Sequence, residues 1–359
     1  MAHTGLGTDA VEGIVLNLPL LKEKRLSVEG FSRMTKLRIL KIGTISVVRN
    51  FSEVYDMLRT MEWLGDPLKS LSTNQLRIME LCGYPLGNLP TNLQLDNLIK
   101  LSMQYSSIRK LWEGTKSLSN LKGIDLRWSE HLIEIPDLSG APNLERLNLE
   151  GCKNLTKVHP DIGVHKRLKE LILGDCKSLE SLSEEINLES VKVINLRDCS
   201  RFKKFPDIVG NMTSLEHLLL DGTAIKELPA SLKSLSRLSE LTLKYCKNLS
   251  VLPSVICGLS SLRVLYVSGC KRLEKFPDLS NMECLQDFQA EGTAIAQLPS
   301  PSLFPKNIKR IVVRGYKDFP LDSGDLASSM CPCQKEAQSS SMCHISTFGR
   351  HHIFRCLLY

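Results

Sequence analysis

Ten times in succession, beginning at Leu98, the chain writes the pattern L-x-x-L-x-L, and the copies follow one another at intervals of 23 or 24 residues. They start at Leu98, Leu121, Leu144, Leu168, Val191, Leu215, Leu238, Leu262, Leu285 and Ile308. Apolar residues at i, i+3 and i+5 leave the last two in period-2 alternation, which predicts a short strand with one buried face. In the copy from Leu144, the residues Leu144, Leu147 and Leu149 point inward, while Arg146, Asn148 and Glu150 point outward. One such unit cannot bury its own leucines, so neighbours must stack and share a continuous core.

Three further marks recur in register. Cys152, Cys176, Cys199, Cys246 and Cys270 each lie three residues past the last strand leucine. An apolar residue follows, as at Leu155, Leu179, Phe202, Ile225, Leu249 and Leu273. Then comes an apolar-proline pair, as at Ile135-Pro136, Phe205-Pro206, Leu228-Pro229, Leu252-Pro253, Phe276-Pro277 and Leu298-Pro299. The proline sets φ where the chain turns back, often into a short helix such as 254–259. Units of this kind look like leucine-rich repeats. They imply an α/β solenoid: a leucine-rich-repeat horseshoe with a parallel β-sheet on the concave face and loops, short helices or 3-10 turns on the convex face.

The composition suits a folded chain that needs no membrane: of 359 residues, 42% are hydrophobic and 24% charged, and no run of 18 apolar residues occurs. The first apolar stretch, Val11 to Leu21, follows Asp9, contains Glu12 and has no preceding basic cluster, so it is not read as a signal peptide. A cytoplasmic, possibly nuclear, address is expected. Twelve cysteines would suggest disulfides in a secreted chain, but five of them occupy one position of the repeat, where Thr223 and Thr293 stand in other copies. A hydrogen-bonding ladder tolerates that exchange and a disulfide does not. Cys152, Cys176, Cys199, Thr223, Cys246, Cys270 and Thr293 are therefore read as a structural ladder of reduced thiols and hydroxyls. Of the sequons at Asn50, Asn154, Asn211 and Asn248, two belong to the repeated string C-K-N-L, which accounts for them without glycosylation.

The register loosens toward both ends. Residues 1–36 are read as a junction or capping segment, 37–97 as irregular repeats, 98–316 as the regular array and 317–359 as a disordered Cys-, Ser- and His-rich tail. Within 37–97, "MTKLRILKI" makes one unit, and "LRTMEWLGDPLKSLSTN" from Leu58 is echoed 18 residues later by "LRIMELCGYPLGNLPTN", with 10 of 17 positions identical. This is a local duplication whose copies are expected to stack imperfectly. In the tail, Cys331, Cys333, Cys343 and His344 lack a standard zinc-finger spacing, and the segment has few apolar residues to offset chain entropy.

Reading the array in register separates core from surface. Ser102, Asp125, Asn148, Ile172, Asn195, Leu219, Thr242, Tyr266, Gln289 and Val312 are expected to point out of the sheet, with Gln104, Arg127, Glu150, Gly174, Arg197, Asp221, Lys244, Ser268 and Glu291 two residues on. Adjacent coils place such residues about 5 Å apart, so several units can meet one protein surface. Two clusters carry the residue types that dominate binding hot spots: Tyr105, Asp125, Arg127 and Trp128, and Lys244, Tyr245 and Tyr266. Lys153, Lys177, Lys247 and Lys271 follow the ladder position and define a basic flank, read as a solvated edge or a docking strip for an acidic partner. The net charge of +7 is interleaved with acidic residues, so no nucleic-acid partner is expected. No catalytic motif stands out. His159, His165 and His217 are read as lying in separate repeats, and neither cofactor nor metal is expected.

Several strings occur in a telling order: "GTDAVEGIVLNL" (Gly7 to Leu18), "FSRMTKLRILKI" (Phe31 to Ile42), "LRTMEWLGDPLKSL" (Leu58 to Leu71) and "IRKLWEGTKSLSNLKGIDL" (Ile108 to Leu126). With "PDLSGAPNLERLNLEGCKNL" from Pro136 and "LDGTAIKELPASL" from Leu220, they resemble the leucine-rich-repeat region of plant disease-resistance receptors of the TIR-NB-LRR class. The resemblance covers roughly residues 7 to 316. It implies a non-catalytic sensor region that recognises a pathogen effector or a modified host protein and restrains a nucleotide-binding domain. That domain is not in this sequence, which has no G-x-x-x-x-G-K-[ST] loop, so a truncated product is expected. The alternatives are an extracellular leucine-rich-repeat receptor ectodomain and a ubiquitin-ligase substrate adaptor.

Overall fold

Each L-x-x-L-x-L copy becomes a strand of three residues, because only the alternating stretch has a partner on either side. The computed structural model describes residues 10–17, 25–27, 34–44, 62–64, 66, 68–69, 71–295, 303–312, 347–348 and 351–352. The chain divides into two compact units, Met1–Val191 and Lys192–Tyr359.

In the first unit, seven strands run parallel in chain order: β1 (Gly13–Asn17), β2 (Ile39–Thr44), β3 (Ile78–Leu81), β4 (Lys100–Ser102), β5 (Gly123–Asp125), β6 (Arg146–Asn148) and β7 (Glu170–Ile172). The register is that of the repeat: Leu101 pairs with Ile124, Ile124 with Leu147, and Leu147 with Leu171. In the second unit, six more follow: β8 (Val193–Asn195), β9 (His217–Leu219), β10 (Glu240–Thr242), β11 (Val264–Tyr266), β12 (Asp287–Gln289) and β13 (Arg310–Val312). Here Leu218 pairs with Leu241, Leu241 with Leu265, and Leu265 with Phe288. Each unit is thus a parallel β-solenoid.

Behind the strands the leucines of the copies from Leu98 to Leu285 are buried, while Ile308 and Ile311 of the last copy are half-buried, and in the second unit aromatic residues join the core. Phe288 meets Phe276 edge-on at 5.3 Å between ring centroids and Phe304 at 5.6 Å. The return side is loops, two-residue strands such as the Glu134–Ile135 and Lys157–Val158 pair, and 3-10 turns at Pro160–Val164, Ala230–Ser234 and Ser254–Gly258. Pro229 and Pro253 lead into the last two with φ near −68° and −67°, the value their rings impose.

The local duplication resolves asymmetrically. The second copy supplies β3, which pairs directly with β2, Ile39 opposite Ile78. Glu62–Leu64 of the first copy stays outside this sheet and pairs in parallel with Arg25–Ser27 instead. The described strand of the first copy thus joins a pairing between successive connections, like that of Glu134–Ile135 with Lys157–Val158, and not the main sheet. The tail cysteines and His344 lie outside the described residues.

The core is shared between neighbours, so one truncation is felt by three coils. Leu147→Ala, at a fully buried centre of β6, is expected to cost about 2–5 kcal/mol. Urea unfolding followed by circular dichroism checks it through a lower midpoint.

Candidate functional site

Past the strands from β4 to β12 the backbone turns into the left-handed region and then presents the ladder side chain. The left-handed position is glycine in some coils, as at Gly151 (φ 75°) and Gly269 (φ 77°), but an aromatic in others: Tyr105 (φ 55°), Trp128 (φ 60°) and Tyr245 (φ 60°). Bulky residues rarely hold such a φ. Trp128 and Tyr245 are accommodated because the following coil has glycine in the same place. A Cβ on Gly151 would sit 2.4 Å from the Trp128 ring, and one on Gly269 2.4 Å from the Tyr245 ring. The turn thus fixes where each aromatic lies.

Around this turn the first predicted cluster assembles. Asp125 accepts from Arg127 Nε at 3.0 Å and Nη2 at 2.9 Å, and from Gln104 Nε2 at 2.9 Å. Those hydrogen bonds hold the Arg127 guanidinium above its ordinary pKa, and burial pushes the Tyr105 phenol up. Lys153 Nζ lies 6.0 Å from the centroid of the half-buried Trp128 ring and pairs with Glu130 at 2.7 Å. Asn148 and Asn195 each turn back to accept a backbone N–H two residues on, from Glu150 at 3.1 Å and Arg197 at 3.0 Å.

The second cluster is brought together only in part. Lys244 Nζ stands 4.1 Å from the Tyr266 ring centroid, and Tyr266 donates its hydroxyl to Asp287 at 2.7 Å, beside Arg310 at 3.4 Å. That hydrogen bond adds to burial in raising the Tyr266 pKa. Tyr245, 63% exposed, packs toward Gly269 instead. Arg197 donates to Asp221 at 2.9 Å, and Asp221 accepts the Lys244 N–H at 2.7 Å. Glu291 donates its N–H to Ser268 at 3.3 Å.

Six positions expected to face out are covered. Ser102, Gly174, Thr242, Ser268, Gln289 and Val312 are buried. Longer neighbours in register flank two of them: Thr242 sits between Leu219 and Tyr266, and Ser102 between Glu80 and Asp125. His159 and His165 also depart from the sequence reading, for both belong to one coil and approach the same carboxylate, Asp161.

The ladder donates to the coil before it. Cys152 Sγ reaches Leu126 O at 3.2 Å, Cys176 reaches Leu149 O at 3.2 Å, Cys246 reaches Leu220 O at 3.2 Å and Cys270 reaches Leu243 O at 3.0 Å. Thr223 and Thr293 bend back to their own coils, to Leu220 O at 2.8 Å and Ala290 O at 3.0 Å. Two rungs escaped the sequence reading: Ser129, which donates to Met103 O at 2.8 Å, and Ser106, 2.9 Å from the Ser129 hydroxyl. A second row also escaped it, in which Asn97, Asn120 and Asn143 donate side-chain N–H groups to Asn74, Asp96 and Ser119 carbonyls at 2.7, 3.1 and 2.6 Å. Asn before the first leucine of a copy was the available signal.

Fold and faces together define the class: the described coils are leucine-rich-repeat solenoids. Residues 172–299 match the family described as "Leucine-rich repeat region", and residues 97–116 match "Leucine Rich Repeat". The region is like that of plant TIR-NB-LRR disease-resistance receptors. It is 38% identical over 195 residues to Protein SUPPRESSOR OF npr1-1, CONSTITUTIVE 1 of Arabidopsis thaliana, covering 52% of this chain and 12% of that protein. It is 38% identical over 188 residues to TMV resistance protein N of Nicotiana glutinosa, covering 52% and 15%. Disease resistance protein RPP5 of Arabidopsis thaliana matches at 36% over 202 residues, covering 52% and 12%. The chain therefore spans a small fraction of these relatives' length. Among solved structures, a leucine-rich-repeat protein of Leptospira interrogans aligns over 81% of this chain and 90% of its own, with a TM-score of 0.41 and 19% identity. The leucine-rich repeat domain of the type III effector XopL aligns over 65% and 75%, with a TM-score of 0.41 and 22% identity.

Two outcomes follow from the turn and the ladder. Gly114→Ala meets only the left-handed φ of 66°, with nothing within 4 Å, whereas Gly151→Ala also meets the Trp128 ring. The first is expected to cost about 1–2 kcal/mol and the second clearly more, with a shift in tryptophan emission that Gly114→Ala does not show. The ladder thiols are the other case: burial pushes Cys152 up to about 12. Its folded pKa lies above the unfolded value of about 8.5, so its contribution to stability is complete below that pH and is lost as pH rises toward 12. At pH 8, mass-spectrometric mapping after brief alkylation should find exposed Cys284 labelled and Cys152, Cys176, Cys246 and Cys270 labelled only after unfolding.

Proposed function

We propose that the chain is a non-catalytic protein-recognition module of plant immunity, working inside the cell, that binds a pathogen effector or a modified host protein through the strand face of its coils. In the same reading it docks against and restrains a nucleotide-binding domain. One observation carries the choice of face. The side chains that project from the strands are tied to the next coil, as Gln104 to Asp125 and Arg197 to Asp221 are, while Tyr105, Trp128 and Tyr245 are fixed by their turns. A rigid display of aromatics and guanidinium groups loses little side-chain entropy on binding. The disease-resistance proteins it resembles support the defence context. No helix among the described residues is long and apolar enough to cross a membrane.

The full chain, immobilised and screened against candidate effectors and a nucleotide-binding domain supplied in trans, tests this reading. Trp128→Ala and Tyr266→Ala are expected to weaken a hit at least tenfold, or about 1.4 kcal/mol, with unchanged circular dichroism. Wild-type affinity of both variants for every hit would contradict binding through the strand face.

A further inference from the structure

In the stretch from Glu240 to Lys244, Leu241 and Leu243 turn into the core and are fully buried, so Glu240, Thr242 and Lys244 share the outer face of the second unit's sheet. Thr242 is nonetheless covered, at 0% exposure, and among the described residues its Oγ1 meets no hydrogen-bond partner. A buried hydroxyl left in this state costs stability, and folded chains keep few of them. Leu219 and Tyr266 flank it across the sheet, while Glu240 and Lys244 lie two residues away along its own chain. The neighbour that can swing aside is Lys244, on its flexible four-carbon stem.

Lys244 is itself the second observation. Its Nζ stands 4.1 Å from the Tyr266 ring centroid, and among the described residues it pairs with no carboxylate. The acids around it are engaged elsewhere: Asp221 accepts Arg197 Nε at 2.9 Å and the Lys244 backbone N–H at 2.7 Å, Glu240 bonds His217 Nδ1 at 2.9 Å, and Asp287 accepts the Tyr266 hydroxyl at 2.7 Å. A cation over an aromatic ring, beside a hydroxyl with nothing to donate to, is complementary to a carboxylate.

We infer that Thr242, Lys244 and Tyr266 form a subsite for the carboxylate of a glutamate or aspartate in an extended peptide of the recognised protein, with half-buried Leu219 and Val264 taking an aliphatic neighbour. The inference rests on recognition through the strand face and names what that face reads. Thr242 Oγ1 donates to one carboxylate oxygen and Lys244 Nζ to the other, which meets the buried hydroxyl and the cation together. A phosphate dianion suits the place less well, because Asp221, Glu240 and Asp287 already surround one ammonium with negative charge.

The test immobilises the full chain, selects a phage-displayed random peptide library on it and measures the selected peptides by calorimetry. They are expected to carry Asp or Glu beside Leu, Ile or Val. Changing that acid to its amide, or making Lys244→Met or Thr242→Val in the chain, should each weaken binding about tenfold or more, since a hydrogen bond to a charged group is lost. The amide peptide should lose nothing further on Lys244→Met, and Thr242→Ser should bind like the wild type. Thr242→Val should unfold at a urea midpoint no lower than wild type, because the hydroxyl it removes has no partner in the free chain; a lower midpoint would assign that hydroxyl to folding and overturn the proposal. A selection that enriches no acidic peptide, or equal affinity in wild type, Lys244→Met and Thr242→Val, would also overturn it. Peptides of that second kind that weaken with Trp128→Ala leave strand-face recognition standing, whereas binding that none of these variants changes overturns both.

Discussion

The hydrogen bond from the ladder cysteines and Ser129 to a carbonyl of the preceding coil is what the repeat is built around. A three-residue strand gives its neighbour only a few backbone bonds, and just beyond it the chain turns through a left-handed residue that leaves a carbonyl facing the interior. Most of these carbonyls accept a backbone N–H of their own turn, as Leu126 O does from Ser129 and Leu243 O from Cys246, and a side chain of the next coil supplies a second donor. Cys152 on Leu126 and Cys270 on Leu243 do this, and Ser129 donates to Met103. A net hydrogen bond of this kind contributes about 0.5–1.5 kcal/mol, which repeated in coil after coil favours a small donor at the position. With the ladder in place, strand and leucines are locked in register.

The same turn sets what the strand face can present. Where the left-handed residue is an aromatic, the following coil can offer a glycine beneath it, as Gly151 does for Trp128 and Gly269 for Tyr245. Ion pairs then cross from coil to coil, among them Arg146 with Glu170 at 2.6 Å and Lys169 with Glu145 at 2.7 Å in the first unit. Each such exposed pair contributes little stability. Their effect is to fix geometry, so that charge and aromatic area sit on a rigid support.

The leucine grid, the strand positions and the ladder cysteines were legible because each is one residue type at one spacing. Ser106 and Ser129 do the same chemistry with a different letter, and a search for cysteine passes over them. The burial of Thr242 depends on the size of Leu219 and Tyr266 in neighbouring coils, which periodicity within a copy does not encode. Nor does a sequence announce that Tyr105 or Trp128 will take a backbone conformation that glycine takes elsewhere. His159, Asp161 and His165 all lie between Leu144 and Leu168, so the register itself puts them in one copy, and only their approach to one another needed the structure.

The ladder's role is tested most directly at Ser129, which donates to Met103 O and accepts the Ser106 N–H at 3.1 Å. Urea unfolding of Ser129→Cys and Ser129→Ala compares a retained donor with a lost one. The account predicts that Ser129→Cys stays within about 1 kcal/mol of wild type, while Ser129→Ala, leaving two buried groups unmet, loses about 1–3 kcal/mol or more. A Ser129→Ala chain as stable as wild type would contradict it.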